Sequence, residues 1–108
     1  MSCPVEFDFG VAADAAAEAR RHARYLRSLA DTRMGSRAEA VKDWTGRFRD
    51  DFDREYTSTQ QALRTRATSL DGMARELDDA ADRARIDKTA CERDHDHSTT
   101  PTGPVRPR

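Results

Sequence analysis

The stretch Val41-Lys42-Asp43-Trp44-Thr45-Gly46-Arg47-Phe48 lies near the middle of this 108-residue chain and decides its fold. Long helix-like patterns precede and follow it. Gly46 permits a tight turn that a side chain would hinder, and Trp44 places a large amphipathic ring at the same point. We therefore predict an all-α fold, an antiparallel helical hairpin with its turn at 43–46.

The first predicted helix covers residues 10–42 and follows an irregular lead-in, 1–9, in which Asp8 could cap the helix. Gly35-Ser36 is its weak point, because Gly35 could end one helix and Ser36 could begin another. The apolar face keeps its phase across this pair, so we favour one continuous helix over two. Apolar residues that step by three or four positions form that face: Ala12, Ala16, Ala19, Ala23, Leu26, Ala30, Met34, Ala38 and Val41.

The second predicted helix covers residues 47–88, and the whole hairpin covers 10–90. Gly72 lies inside it and costs about 1 kcal/mol relative to Ala without ending the helix. Residues 91–108 are predicted to be a disordered polar tail, because the last part is rich in proline and has nothing to pack. The helix has a near-heptad series of core positions: Phe48, Phe52, Tyr56, Thr59, Leu63, Leu70, Met73, Leu77, Ala81 and Ala84.

The predicted core is small, since apolar residues are 36% of the chain and many of them are alanine. A single hairpin with such a core is marginal and would gain from a partner. The apolar stripe of the second helix is also broad, with one edge left for a second hairpin. We therefore expect two hairpins to pair into a four-helix bundle dimer. The residues expected at the hairpin or dimer interface are Leu26, Phe48, Phe52, Leu63, Leu70, Met73 and Leu77.

Several classes of function find no support in the sequence. The net charge is −1, which gives no bulk attraction to nucleic acid. The N-terminus lacks the basic and apolar regions of a conventional signal peptide, and no segment is apolar enough to span a bilayer. No phosphate-binding loop or nucleophile motif occurs. We expect a protein that is not an enzyme and uses no cofactor.

A Trp-x-Gly turn between two helices, in a chain of about a hundred residues, resembles the WXG family of small type VII secretion substrates. Trp44 and Gly46 match its two named motif positions. The resemblance implies a hairpin that pairs with itself or with a sister hairpin. It also implies that Trp44 contributes to recognition of the dimer by the secretion machinery. From the residues alone, Trp44 could instead plug the end of the bundle.

The chain departs from the family pattern in one respect. Exported members often carry Tyr-x-x-x-Asp/Glu after the second helix, whereas Tyr25 is followed four places on by Leu29 and Tyr56 by Gln60. The chain therefore relies on a partner for this signal or is not itself exported. The resemblance implies secretion without a signal peptide. The alternatives are a cytoplasmic adaptor or chaperone for a larger toxin or effector and, less favoured, a helical nucleic-acid-binding protein.

Three further groups of residues could be functional, but each also has a simpler structural interpretation. Cys3 and Cys91 both reach the open end of the hairpin and could form a disulfide in an oxidising compartment, or they are two unrelated thiols. Cys91, His95 and His97 could bind a transition metal, but we favour an incidental polar tail. Finally, a basic band is predicted at the middle of the hairpin, as either a binding surface or a solvated face; it comprises Arg20, Arg21, Arg24, Arg27, Arg64 and Arg66.

Overall fold

A computed structural model describes the backbone of residues 6–99 and the side chains of residues 6–94. Within that range the chain forms two α-helices and no strand, α1 (Phe9–Val41) and α2 (Arg47–Thr99). The helices pack against each other as a hairpin. The fold is therefore the predicted all-α hairpin, with α2 about 80 Å long at 1.5 Å per residue. Neither described helix is apolar enough along its length to cross a membrane.

The first helix begins and continues as the sequence predicts. Asp8 is its N-cap, and the Asp8 carboxylate accepts a hydrogen bond of 2.9 Å from the backbone N–H of Val11. This bond satisfies one of the donors that the first turn of a helix leaves free. The helix passes through Gly35-Ser36 without a break. The in-phase apolar face therefore outweighs the local stop and start signals at this pair.

The second helix extends further than predicted. It continues through Thr99, so residues 91–99, which we assigned to the polar tail, are helical, while residues 100–108 lie outside the described range. No glycine or proline interrupts the chain between Gly72 and Pro101. Because a proline disfavours helix in the residue before it, Thr100 is the first position with a strong stop signal. Polarity alone did not end the helix.

The core is a seam of small side chains between the two helices. No large side chain in it is fully buried. Leu63 and Leu77 are partly buried against it. Such a seam lets the helices approach closely but buries little apolar area for each residue. The buried apolar residues are Ala12, Ala16, Ala19, Ala23, Leu26, Ala30 and Val41 of α1 and Ala67, Leu70, Ala74, Ala81 and Ala84 of α2.

The predicted core phase is wrong in part of both helices, and Phe48, Phe52 and Thr59 of the predicted series are among the exposed positions. In α2 the seam uses Ala67 and Ala74, while Met73 is 53% exposed. In α1 the seam leaves Met34 and Ala38 exposed. Packed helices keep a repeat of 3.5 residues rather than 3.6, so the two successive four-residue steps from Ala30 to Ala38 drift off the contact face of α1. Large apolar residues were chosen where small ones fit the close contact.

Candidate functional site

The connection between the helices is a short turn at residues 42–46. Gly46 has φ of 101°, a conformation that side chains disfavour. The N–H of Trp44 donates to the Val41 carbonyl at 2.9 Å, and the N–H of Asp50 donates to the Gly46 carbonyl at 3.1 Å. The glycine of the Trp-x-Gly tripeptide is thus required by the backbone, and α2 begins directly after it.

The aromatic residues at the turn form a row along α2. The Trp44 ring lies 5.5 Å from the Phe52 ring, and the Phe52 ring lies 6.2 Å from the Tyr56 ring, centroid to centroid. Trp44 remains 39% exposed, and Phe48 beside it is 74% exposed. Trp44 is therefore held on Phe52 at the surface rather than inserted between the helices.

Asp53 ties the turn to both helices. Its carboxylate accepts hydrogen bonds from Arg37 of α1 and from Arg49 Nε at 3.0 Å. Arg49 also donates to the carbonyls of Val41, at 3.1 Å, and Trp44, at 2.6 Å. The hydrogen bond from Arg37, followed by that from Arg49 and by the charges of both arginines, outweighs partial desolvation and lowers the pKa of Asp53. This turn network was not predicted, although Arg49 and Asp53 have the i,i+4 spacing of a helical ion pair.

The predicted basic band is largely neutralised within the hairpin. Arg20 pairs with Asp78, Arg27 with Asp71 at 2.7 Å, and Arg64 with Asp31 at 3.3 Å. Arg21 pairs with Glu18 of its own helix. The sequence prediction had instead placed Arg20 and Arg27 in one basic band with Arg64 and Arg66. Side chains lean towards the N-terminus of their helix, so long arginines of α1 reach acidic residues closer to the open end. This pairing weakens the nucleic-acid alternative, which needs unpaired positive charge.

The interhelix ion pairs of Arg20, Arg27 and Arg64 lie on one side of the hairpin, which we call the ion-paired flank. Each charged residue directly follows a residue of the helix contact, as Arg27 follows Leu26 and Asp71 follows Leu70. In an antiparallel pair, residues that follow core positions on the two helices lie on the same side. Residues that precede core positions therefore share the opposite side.

The apolar residues on that opposite side, which we call the apolar flank, are Val11, Tyr25, Leu29, Phe52, Met73 and Ala80. Glu18, His22 and Arg66 also precede core positions and therefore lie on the same side. Tyr25 is 60% exposed and Val11 is 63% exposed. No ion pair in the described part of the chain joins the two helices across this flank. Isolated apolar side chains on a surface are ordinary, but a row along one side of a rod is typical of an interaction site.

The residues predicted at an interface divide between these surfaces. Leu26 and Leu70 are buried in the seam, and Leu63 and Leu77 pack beside it. Phe52 and Met73 lie on the apolar flank, and Phe48 is exposed near the turn. The hairpin contact therefore does not include Phe48, Phe52 or Met73, because their positions lie outside the narrow alanine seam.

The predicted sites at the open end fall partly outside the described residues. Cys91 lies in α2 and is disulfide-bonded. Its predicted partner, Cys3, lies outside the described residues, so the pairing stays a prediction. The side chains of His95 and His97 also lie outside the described range. Among the side chains of residues 6–94, no group of three metal-ligating residues comes together.

Comparison with known protein families, curated proteins and solved structures finds no match to this chain. Assignment of a function therefore depends on the arrangement of its own residues.

Proposed function

We propose that this chain is a non-enzymatic, WXG-like hairpin that acts by pairing with a second hairpin, as a substrate or partner protein of type VII secretion. The observation that carries the pairing is the asymmetry of its two flanks. On the ion-paired flank, three arginines pair with aspartates of the other helix. The apolar flank leaves a row of apolar side chains in solvent.

The proposed dimer buries the apolar flank of each hairpin against that of its partner. Tyr25 and Met73 are the main contributors, since each is more than half exposed. The flexible Met73 side chain can also adapt to a facing surface. Burial stabilises by about 25 cal/mol for each Å² of apolar area removed from water. This area supplements an alanine seam that supplies little on its own. Two paired hairpins form a four-helix bundle.

The proposed recognition surface for the secretion machinery is the turn end. Trp44 and Gly46 stand where the family resemblance places its motif. Trp44 is surface-exposed, and its position is set by the Phe52 ring and by the hydrogen bond from Arg49 to its carbonyl. An aromatic ring that is partly exposed and held in one place loses little side-chain entropy on binding. In this proposal Trp44 therefore serves recognition rather than closure of the bundle.

An adaptor or chaperone for a larger effector is the second candidate, because the same apolar flank would accept a helix of the effector. Export separates the two candidates. A secreted substrate accumulates in the culture supernatant with its partner, whereas an adaptor stays inside the cell bound to the effector before export. Purification from the native cell, with identification of the co-purifying chain, distinguishes them.

The pairing itself is tested by a matched pair of variants in sedimentation at micromolar concentration. Met73→Asp places a charge on the apolar flank, whereas Thr68→Asp places the same charge at an exposed position on the ion-paired flank. We expect the wild-type chain and Thr68→Asp to sediment as dimers, or as heterodimers once the partner is present. Met73→Asp should sediment as a monomer with its helix content retained. A wild-type protein that is a well-folded monomer with and without its co-purifying chain contradicts the proposal.

A further inference from the structure

Charged residues border the apolar flank, and their signs follow an order along the rod. Glu18, for example, directly precedes the buried Ala19. Arg33 lies one turn after Leu29 on the same face of α1, and its guanidinium lies 5.2 Å from the centre of the Tyr56 ring. From the open end to the turn, the signs are positive, twice negative, twice positive and negative. We call these residues the flank charges: Arg83, Glu76, Glu18, Arg66, Arg33 and Glu55.

Strong pairs within the hairpin do not neutralise the flank charges. Glu18 pairs with Arg21 of its own helix, but both side chains are more than half exposed, so the pair contributes little. The other flank charges form no ion pair with a described side chain. Asp87 is not counted with them, because it lies beyond Ala84, the last buried residue of α2 within residues 6–94.

Arg33 differs from the other arginines of the contact. It is half-buried, and its guanidinium has only the Tyr56 ring as a partner among the described side chains. A half-buried cation without an anion favours a binding partner that supplies a carboxylate. Every other half-buried arginine in residues 6–94 already pairs with an aspartate: Arg20, Arg27, Arg37 and Arg49.

The order of the flank charges is complementary to its own reverse. A second copy that faces the first flank to flank and runs in the opposite direction places each positive charge opposite a negative one. Rotation about a two-fold axis across the rod reverses each helix without exchanging the two, so α1 lies against α1 and α2 against α2. Between the copies, the facing pairs are Glu18 with Arg33, Glu76 with Arg66, and Arg83 with Glu55.

These facing pairs share one centre along the rod. The midpoint of residues 18 and 33 lies between positions 25 and 26 of α1, and the midpoints of the two pairs in α2 lie at positions 69 and 71. The ion pair of Arg27 with Asp71, at 2.7 Å, places these parts of the two helices at about the same level. One axis therefore serves all the pairs, and it passes beside Tyr25 and Met73, which are among the most exposed apolar side chains.

The same two copies in the parallel direction bring like charges together. A two-fold axis along the rod places α1 of one copy against α2 of the other at equal levels. The interhelix ion pairs of Arg20 and Arg64 set those levels. Glu18 then lies within about one turn of Glu76, and Arg33 within about one turn of Arg66. The flank charges therefore favour one direction of pairing over the other.

We propose that the partner of the apolar flank is a second copy of this chain, which runs in the opposite direction and is aligned by reciprocal ion pairs between the flank charges. The proposal rests on the pairing proposed above and adds the identity and direction of the partner. The apolar side chains supply the association. The ion pairs disfavour other partners and the parallel direction, since charge complementarity contributes more to specificity than to affinity.

The first test exchanges charges between copies and measures dimer dissociation by analytical ultracentrifugation of the full chain. Arg33→Glu and Glu18→Arg each bring like charges together at two symmetric positions, so each should weaken the homodimer about tenfold or more at low ionic strength. An equimolar mixture of the two variants should form a heterodimer about as strong as the wild-type homodimer, because each variant carries the charge that the other lacks.

Arg24→Glu is the matched control, because it makes the same reversal on the same helix but follows the buried Ala23 and so lies on the ion-paired flank. It should leave dimerisation unchanged. Circular dichroism checks that each variant keeps its helix content. Variants of residues 18 and 33 that dimerise as well as wild type, or a mixture that associates no more tightly than either variant alone, would overturn the proposal.

The second test measures direction with a nitroxide label on Thr45→Cys at the turn, attached without reductant so that Cys91 keeps its disulfide. Copies in opposite directions should place the two labels about 60 Å apart, since each turn lies about 20 residues from the axis at 1.5 Å per residue. Parallel copies would place them within about 20 Å. Pulsed electron paramagnetic resonance measures the distance.

The outcomes separate this inference from the proposed function. A homodimer with the short distance overturns the opposite direction but leaves pairing through the apolar flank in place. A chain that pairs only with a different protein overturns the second copy as partner and also leaves that pairing in place. A chain that stays monomeric both alone and with its co-purifying protein overturns the pairing and this inference together.

Discussion

The two halves of the hairpin are held together by different means. In the half near the open end, alanines and a few leucines form an apolar seam, with ion pairs along one flank. In the half near the turn, Arg37, Asp53, Tyr56 and Gln60 replace the seam with hydrogen bonds and ring contacts. Apolar packing in the first half tolerates small changes in how the helices align. The hydrogen bonds of the second half require a specific donor opposite a specific acceptor. Stability and specificity are thus placed in different parts of one helix pair.

The largest expected effect lies in the seam. Leu70→Ala should lower the free energy of unfolding by about 2–4 kcal/mol, because it removes one of the few large side chains buried there. Met73→Ala, three residues away and exposed, should cost less than about 1 kcal/mol in the isolated chain. Chemical denaturation followed by circular dichroism measures both. Equal costs would show that the seam and the apolar flank are not distinct surfaces.

The second-largest expected effect on stability comes from a substitution at the turn. Gly46→Ala should destabilise by about 1–2 kcal/mol, since the backbone there has positive φ even though the added methyl group meets nothing. Gly35→Ala, in the middle of α1, also meets nothing and should stabilise by about 0.5–1 kcal/mol. Thermal unfolding of the two variants should therefore shift in opposite directions. If both variants shifted the melting temperature in the same direction, Gly46 would not have the positive φ that the turn requires.

Trp44→Ala should cost about 1–2 kcal/mol, less than the roughly 3–5 kcal/mol typical of a fully buried aromatic side chain. The reason is that the indole is partly exposed and contacts chiefly Phe52. Helix content should be kept, whereas export or engagement of the secretion machinery should be lost. Denaturation and secretion assayed on the same variant report the two effects separately. A loss of stability near the value for a fully buried aromatic side chain would instead indicate that Trp44 plugs the end of the bundle.

The smallest expected effect is a change of stability with pH that arises from Asp53 at the turn. The pKa of Asp53 is lowered in the folded chain, chiefly by its hydrogen bond with Arg37. Its contribution to stability is therefore present above the unfolded-state pKa and is lost as the pH falls through the folded-state value. Asp53→Asn should show a shallower loss of stability than wild type on acidification below about pH 4. Trp44 fluorescence during denaturation at each pH provides the measurement, and parallel profiles would contradict it.

The sequence was sufficient to predict the hairpin and its turn. The apolar steps of α1 correctly outweighed the break signals at Gly35-Ser36, and Gly46 marked the turn. The polar half was missed because its residues, such as Gln60, carry no apolar signal, and their contacts depend on the exact facing of the helices. Ala67 and Ala74 were missed because a preference for large side chains is misleading where helices touch closely. The apolar flank also became visible only once the seam was placed.

The alanine seam has a consequence for how the helices find their alignment. Ala67 and Ala74 are seven residues apart, as are Ala16 and Ala23, so sliding one helix by two turns places alanine opposite alanine again. Two of the ion pairs do not prevent this slip, because Arg20 and Arg27 repeat with the same interval as Asp71 and Asp78. The pair of Arg64 and Asp31 has no such repeat and would be broken. The contacts without such a repeat are at the turn half, where Gln60 bonds to the Ala30 carbonyl and Asp53 holds Arg37. The short turn and these few polar contacts thus determine which residues of α1 face which residues of α2 along an otherwise repetitive contact.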